Sequence, residues 1–267
     1  MSDNNNLPQN IDSDDDWLEE LIDWADEHRI QDYYYDDYIF LCWFGFPRDK
    51  QTILAMTELN LERSNLYELP DAIGKLTNLT ELNLECNELS KLPDSISNLK
   101  NLTAFSLADN QFTKLPDCIS KLTNLTFLSL LGNKFTELPE FIGKLTNLTI
   151  LDLRNNQLTE LPDSIGKLTN LDYLTVWDNC LTKLPDSIGE LANLTTLSLV
   201  GNRLTELPDS IGNLSNLKDL NLGNNQLTKL SDSISKLSNL TGLNIRKNFI
   251  KSLPPKLSHL HDITRFD

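Results

Sequence analysis

From Met56 onward the apolar positions keep one phase. The pattern LxxLxLxxNxL opens at Met56, Leu79, Leu102, Leu125, Leu148, Leu171, Leu194, Leu217 and Leu240, each 23 residues after the last. A tenth copy opens at Ile263 and reaches Phe266. In the unit opening at Leu148, the alternation of Leu148, Leu151 and Leu153 predicts a short strand with these side chains turned inward. Asn156 ends that strand, and its amide donates and accepts at once, so it suits the backbone groups of a buried turn. Asn87, Asn110, Asn133, Asn179, Asn202, Asn225 and Asn248 share its column, with Ser64 in the first unit. The returning flank reads LPDSIGKL (Leu161 to Leu168), in which Pro162 stops the strand and Asp163 suits a helical cap. Asp163–Lys167 has the i,i+4 spacing of a helical ion pair, repeated at Asp71–Lys75, Asp117–Lys121, Glu140–Lys144 and Asp232–Lys236. No unit buries its leucines alone, so the units must stack, with a parallel sheet on the concave side and short helical turns on the convex one.

Both ends of such a stack need cover. Residues 1–12 read as a disordered acidic tail and residues 13–55 as a cap, with the solenoid occupying 56–267. The cap opens with an amphipathic helix over 14–29, with Trp17, Leu18, Leu21, Ile22 and Ala25 on one side, and Ser13 and Asp14–Asp16 at its N-terminal end. The aromatic run YYYDDYIFLCWFGFP predicts one or two edge strands. Ile53 stands 23 residues before Leu76, so residues 44–55 read as a degenerate returning flank, with Lys50 where an Ile is expected. At the far end Asp262, Arg265 and Asp267 are left to shield the last rung.

Composition narrows the function. The 39 carboxylates exceed the 23 Lys plus Arg, for a net charge of −16 that repels nucleic acid and anionic membranes alike. No stretch approaches the ~18 apolar residues of a membrane span. The N-terminal residues have neither the basic nor the apolar region of a cleaved signal, which predicts a cytoplasmic protein or one exported as an uncleaved effector. Cys42, Cys86, Cys118 and Cys180 form no CxxC pair and read as free thiols. His28, His259 and His261 lie at the two ends, far from any nucleophile, and no phosphate-binding glycine motif occurs. Asp12, Asp14 and Asp16 imitate the start of a calcium loop, but Trp17 takes the place of its glycine and Asp23 of its final Glu. Asn-Leu-Thr triplets at Asn78, Asn101, Asn124, Asn147, Asn193 and Asn239 match the glycosylation signal, yet they fall in one column of the repeat. No catalytic residue, metal set or cofactor is expected.

The consensus LTNLxxLxLxxNxLTxLPxSIGK resembles that of intracellular leucine-rich-repeat proteins of the Ras-suppressor and Ras-group type, and of bacterial proteins with the same 23-residue unit. The resemblance covers the chain from Met56 onward. It implies an α/β fold: a curved right-handed leucine-rich-repeat solenoid with nine full units and a truncated tenth. It also implies binding of other proteins by the concave face, and the near-identity of the units points to a bacterial source. Bacterial ubiquitin-ligase effectors carry similar repeats with an added catalytic domain, an activity not carried over here.

Positions 3, 5, 7 and 8 of the unit point out of the concave sheet and are free to carry function. Position 3 holds Phe127, Ile150 and Tyr173 on consecutive strands, and position 7 holds Leu131, Arg154, Trp177 and Val200. Such an aromatic and Arg block has the composition of an interface hot spot, with Asp152 and Asp178 as counter-charges and Trp177 as a stacking surface for Arg154. These residues are the candidate site for a protein or peptide partner. A second surface is acidic: Glu58, Glu62, Glu81 and Glu85 continue the charge of residues 1–55, where 14 carboxylates face three basic groups. Two alternatives remain: an inhibitor or effector that occludes a target enzyme, and a self-assembling homodimer.

Overall fold

The computed structural model describes residues 15–28, 30, 47–254, 257 and 262–264. The tail and the aromatic run fall outside the described residues. Ten three-residue strands form one parallel sheet in chain order: β1 (Glu58–Asn60), β2 (Glu81–Asn83), β3 (Ala104–Ser106), β4 (Phe127–Ser129), β5 (Ile150–Asp152), β6 (Tyr173–Thr175), β7 (Thr196–Ser198), β8 (Asp219–Asn221), β9 (Gly242–Asn244) and β10 (Asp262–Thr264). The 23-residue spacing becomes register: Glu81 pairs with Ala104, Ala104 with Phe127, Phe127 with Ile150, and Ile150 with Tyr173. The last strand departs from it. Asp262 pairs with Gly242 and Ile263 with Leu243, an offset of 20, so the tenth strand arrives three residues before the repeat places it. Leu257, 23 residues after Ile234, is buried like it, so the phase holds as far as Leu257.

The core is a column of leucines. Leu148, Leu151, Leu153, Leu158, Ile165 and Leu168 of one unit are fully buried, and the other units repeat the set. Each such side chain contributes about 1.5–3 kcal/mol when removed from water, but only between two neighbouring rungs. Phe105, Phe112 and Phe135 thicken the third and fourth rungs, the last two stacked with centroids 6.5 Å apart.

The buried asparagines act as expected. Asn156 Nδ2 donates to Leu130 O of the preceding rung (2.9 Å) and to Leu153 O and Arg154 O of its own, while Oδ1 accepts from Phe135 N. The exposed asparagines of the Asn-Leu-Thr triplets form a second ladder that the sequence reading passed over. Asn78 Nδ2 donates to Leu54 O, Asn101 to Thr77 O, Asn147 to Thr123 O and Asn239 to Ser215 O, each 24 residues back. Thr80, Thr103, Thr126 and Thr149 add a third, each hydroxyl donating to a carbonyl 23 residues back. One column thus serves cohesion between rungs, which explains its uniformity.

The returning flanks are 3-10 turns, Asp163–Lys167 being typical. Two expectations fail there. Pro162, not Asp163, is the cap, with no side-chain hydrogen bond. Among the described residues none of the predicted Asp/Glu–Lys pairs within a turn forms; a 3-10 turn has three residues per turn, so residues four apart diverge by about 120°. Other lysines, placed just before the Leu-Pro of their flanks, reach along the stack, Lys91 to Glu68 (3.0 Å) and Lys183 to Glu160 (3.6 Å). Turns of adjacent rungs pack so closely that a Cβ on Gly143 would lie 2.6 Å from Ser164 O.

At the N-terminal end α1 (Asp16–Glu27) buries Leu21, Trp24 and Ala25, with Trp17, Leu18 and Ile22 partly covered. Its N-cap is Asp15, without a side-chain cap bond. The predicted degenerate flank is a true α-helix, α2 (Lys50–Ala55), capped by Asp49, whose carboxylate accepts from Thr52 N and is thereby held below its usual pKa. Ile53 is fully buried in the phase of Leu76, and Lys50 stays outside, paired with Asp15. Arg48 joins Asp26 at 2.6 Å, so ion pairs tie the two helical segments at both ends of α1.

Candidate functional site

The site rests on the strands and the residues that directly follow them: each of these three-residue strands buries its middle side chain and turns its first toward solvent. In β5 and β6 the middle leucines are buried and the first residues exposed, placing Ile150 (36% exposed) beside Tyr173 (39%). Trp177 (44%) follows β6 by two residues, and its carbonyl accepts from Asn155 N of the rung before. Phe127 on β4, with Leu131 and Val200, is half-buried at the margins. The sheet register therefore brings the predicted apolar residues onto one face.

Arg154 lies within that face, and its partner differs from one expectation. It does not stack on Trp177. Nε donates to both oxygens of Asp152 (2.9 and 3.0 Å) and Nη2 to Oδ2 (2.6 Å). Asp152 also accepts from Arg154 N. Asp152 is only 7% exposed, so it meets solvent little and instead orients the guanidinium. The Asp152 hydrogen bonds raise the Arg154 pKa against the opposing effect of burial.

Position 5 is thus not as free as its column implied, since Ser129, Asp152 and Thr175 are all buried. Position 8 is constrained by the backbone. Arg63, Cys86, Asp109, Asn155, Asp178, Asn224 and Lys247 have φ between 50° and 56°, and Gly132 and Gly201 complete the column at 65° and 66°. The chain leaves each strand through a left-handed residue, which favours Gly, Asn and Asp. The prevalence of those three types in the column was the signal available.

The acidic surface lies at the other end of the face. Glu58 and Glu81 are exposed, Glu62 and Glu85 half-buried. Burial, then the Glu62 and Asp109 charges, push the Glu85 carboxyl above its ordinary pKa of 4.5, and Arg63 offsets part of this. Arg63 Nε lies 3.5 Å from Glu62. The fold also brings Cys86 to this place: its Sγ and the carboxylates of Glu62 and Glu85 lie within 4.8 Å of one another, a grouping that residues 23 apart in sequence concealed. Between the acidic rungs and the apolar block is a third rung of small residues, Ala104, Ser106 and Ala108, the last 1% exposed. Cys118, behind the sheet, has its thiol pushed up to about 11 by burial, so it is a poor nucleophile.

A leucine-rich repeat region family matches residues 51–134 and 118–201, and a leucine rich repeat family matches residues 192–250. The chain belongs to the leucine-rich-repeat family. Proteins of this family generally mediate protein–protein interaction. No curated protein matches the chain significantly. Among solved structures it is similar to a leucine-rich-repeat protein of Leptospira interrogans, at 34% identity and a TM-score of 0.69 over 79% of this chain and 60% of that one. An internalin of Listeria monocytogenes is 25% identical, with a TM-score of 0.69 over 79% of this chain and 61% of that one. Internalin C2 of the same organism, 23% identical with a TM-score of 0.60 over 81% of this chain and 83% of that one, shares the fold alone. The chain therefore spans about three fifths of the length of the first two. No helix among the described residues is long and apolar enough to cross a membrane.

Proposed function

We propose that this chain is a non-enzymatic recognition module that docks a partner protein on its concave face, over Phe127, Leu131, Ile150, Tyr173, Trp177 and Val200. One observation carries the reading: three large apolar side chains stand exposed together, Ile150 and Tyr173 on two paired strands and Trp177 two residues beyond the second. Exposed apolar residues scattered singly are ordinary, whereas a contiguous block around an oriented arginine has the make-up of an interface centre. Arg154, held by Asp152, is set to receive a carboxylate or carbonyl with little further loss of side-chain freedom.

The test is a comparison of the chain with its Tyr173→Ala/Trp177→Ala variant, each immobilised against the same lysate and read by mass spectrometry. Both side chains lie outside the leucine column, so the double change leaves the thermal midpoint within a few degrees. The reading requires partners retained by the chain and lost by the variant. Identical retention by both sinks it.

A further inference from the structure

The concave face is polarised along the solenoid. At position 7 it runs Glu62, Glu85, Ala108, Leu131, Arg154, Trp177, Val200, Gly223, Arg246, and at position 3 Glu58, Glu81, Ala104, Phe127, Ile150, Tyr173. Carboxylates crowd the first two rungs, small residues floor the third, apolar side chains occupy the fourth to sixth, and the exposed Arg246 and Lys247 close the ninth. Adjacent parallel strands are about 4.8 Å apart, so the Glu81 and Phe127 rungs are separated by about 10 Å across Ala104. The third rung is therefore a shallow trough with a carboxylate wall, Glu81 and Glu85, and an apolar wall, Phe127 and Leu131. Exposed Asp109 stands at its end, with its N–H donating to Leu131 O.

We propose that the partner docks through a segment in which a lysine or arginine precedes or follows an apolar anchor by about three to six residues, the cation lying in the third-rung trough and the anchor against Tyr173 and Trp177. This rests on the concave-face reading above and names the chemistry of its partner. A basic side chain fits both walls. Its methylene stem covers Phe127 and Leu131, while its head meets Glu81, Glu85 and Asp109. Among the described residues the only cation paired with this group of carboxylates is Arg63, at the far side of Glu62, so the carboxylates nearest the trough have no cationic partner among those residues. Like-charge crowding at Glu85 is relieved by an incoming cation and worsened by an acidic partner. The spacing follows from the sheet: counted from the Ala104 strand, Ile150 is two strands away, Tyr173 and Trp177 three, and Val200 four, about 10, 14 and 19 Å, while an extended chain covers about 3.3 Å per residue. The net charge of −16 steers a cationic segment toward the chain from a distance.

The experiment is selection of a random displayed 16-residue peptide library on the immobilised full chain, with enriched peptides then synthesised, labelled with fluorescein and titrated by polarisation. The expected winners carry Lys or Arg three to six residues from an aromatic or aliphatic residue. Their affinity falls about tenfold or more on the Glu81→Gln/Glu85→Gln/Asp109→Asn variant, and also between about 50 and 300 mM salt. Winners that are apolar without basic bias, or that bind the triple variant equally well, overturn this inference and leave the concave-face reading standing. Winners indifferent to Tyr173→Ala/Trp177→Ala overturn both. Binding of the labelled chain to its own immobilised copy, abolished by Trp177→Ala, assigns the face to a second, equally acidic copy and overturns the basic partner.

Discussion

Arg154 and Asp152, two residues apart across the end of one strand, are joined by three side-chain hydrogen bonds, the shortest 2.6 Å from Nη2 to Oδ2. The pair turns a flexible side chain into a fixed feature of the concave face. Asp152→Ala removes these bonds and the acceptor for Arg154 N, and is expected to cost about 1–3 kcal/mol in urea unfolding. Asp152→Asn, which keeps an acceptor for the backbone, should cost less. The Arg154 Nε–H resonance, protected by two acceptors in the parent, should exchange rapidly in the alanine variant.

The two asparagine ladders should differ sharply in worth. Asn156→Ala strands the buried Phe135 N–H and leaves the Leu130 carbonyl only the longer bond from Asn133 Nδ2, so a loss of about 2–3 kcal/mol is expected. Asn147→Ala frees only Thr123 O, where water takes over, and should cost under about 1 kcal/mol. Chemical denaturation of the two variants side by side checks the ranking.

Glu85 makes the stability depend on pH in a stated direction. Its folded-state pKa is raised, so between 4.5 and that higher value the native state holds more of the proton, and stability falls as pH rises through the window. Glu85→Gln removes the penalty. The variant should melt above the parent at about pH 7 and the gap should close at about pH 4, as calorimetry at the two pH values would read.

Cys86 occupies a left-handed backbone position, with φ 56°. Glycine there is expected to match or raise the stability, while valine, whose branched Cβ suits that region least, should lower it by about 1–2 kcal/mol. Urea titration of the pair decides it.

The fold was legible because its determinants are periodic: leucines at fixed offsets, an asparagine after every strand but the first of the full units, and a proline before every 3-10 turn but the one capped by Ser231. What escaped notice had other causes. The strand–turn unit says nothing of whether a five-residue turn is α or 3-10, and the ion pairs drawn from helical spacing failed on that difference. Asn147 looked like a modification signal because its true partner, Thr123 O, is 24 residues away and enters only through stacking. The candidate site was legible as to which residues share a face, since strand register copies the repeat. It was not legible that Asp152 lies beneath Arg154 rather than beside it, because burial at position 5 depends on the bulk of its neighbours. The last strand was misplaced by three residues because periodicity cannot foresee its own interruption.

The asparagine and threonine ladders bond one rung to the carbonyls of the one before it without regard to which rung that is. A block of 23 residues can therefore be excised or duplicated and every such bond re-formed at the new junction. Recombination within the gene of such a chain alters its concave surface in whole cassettes, changing the order of charges and aromatics without asking the backbone for a new solution.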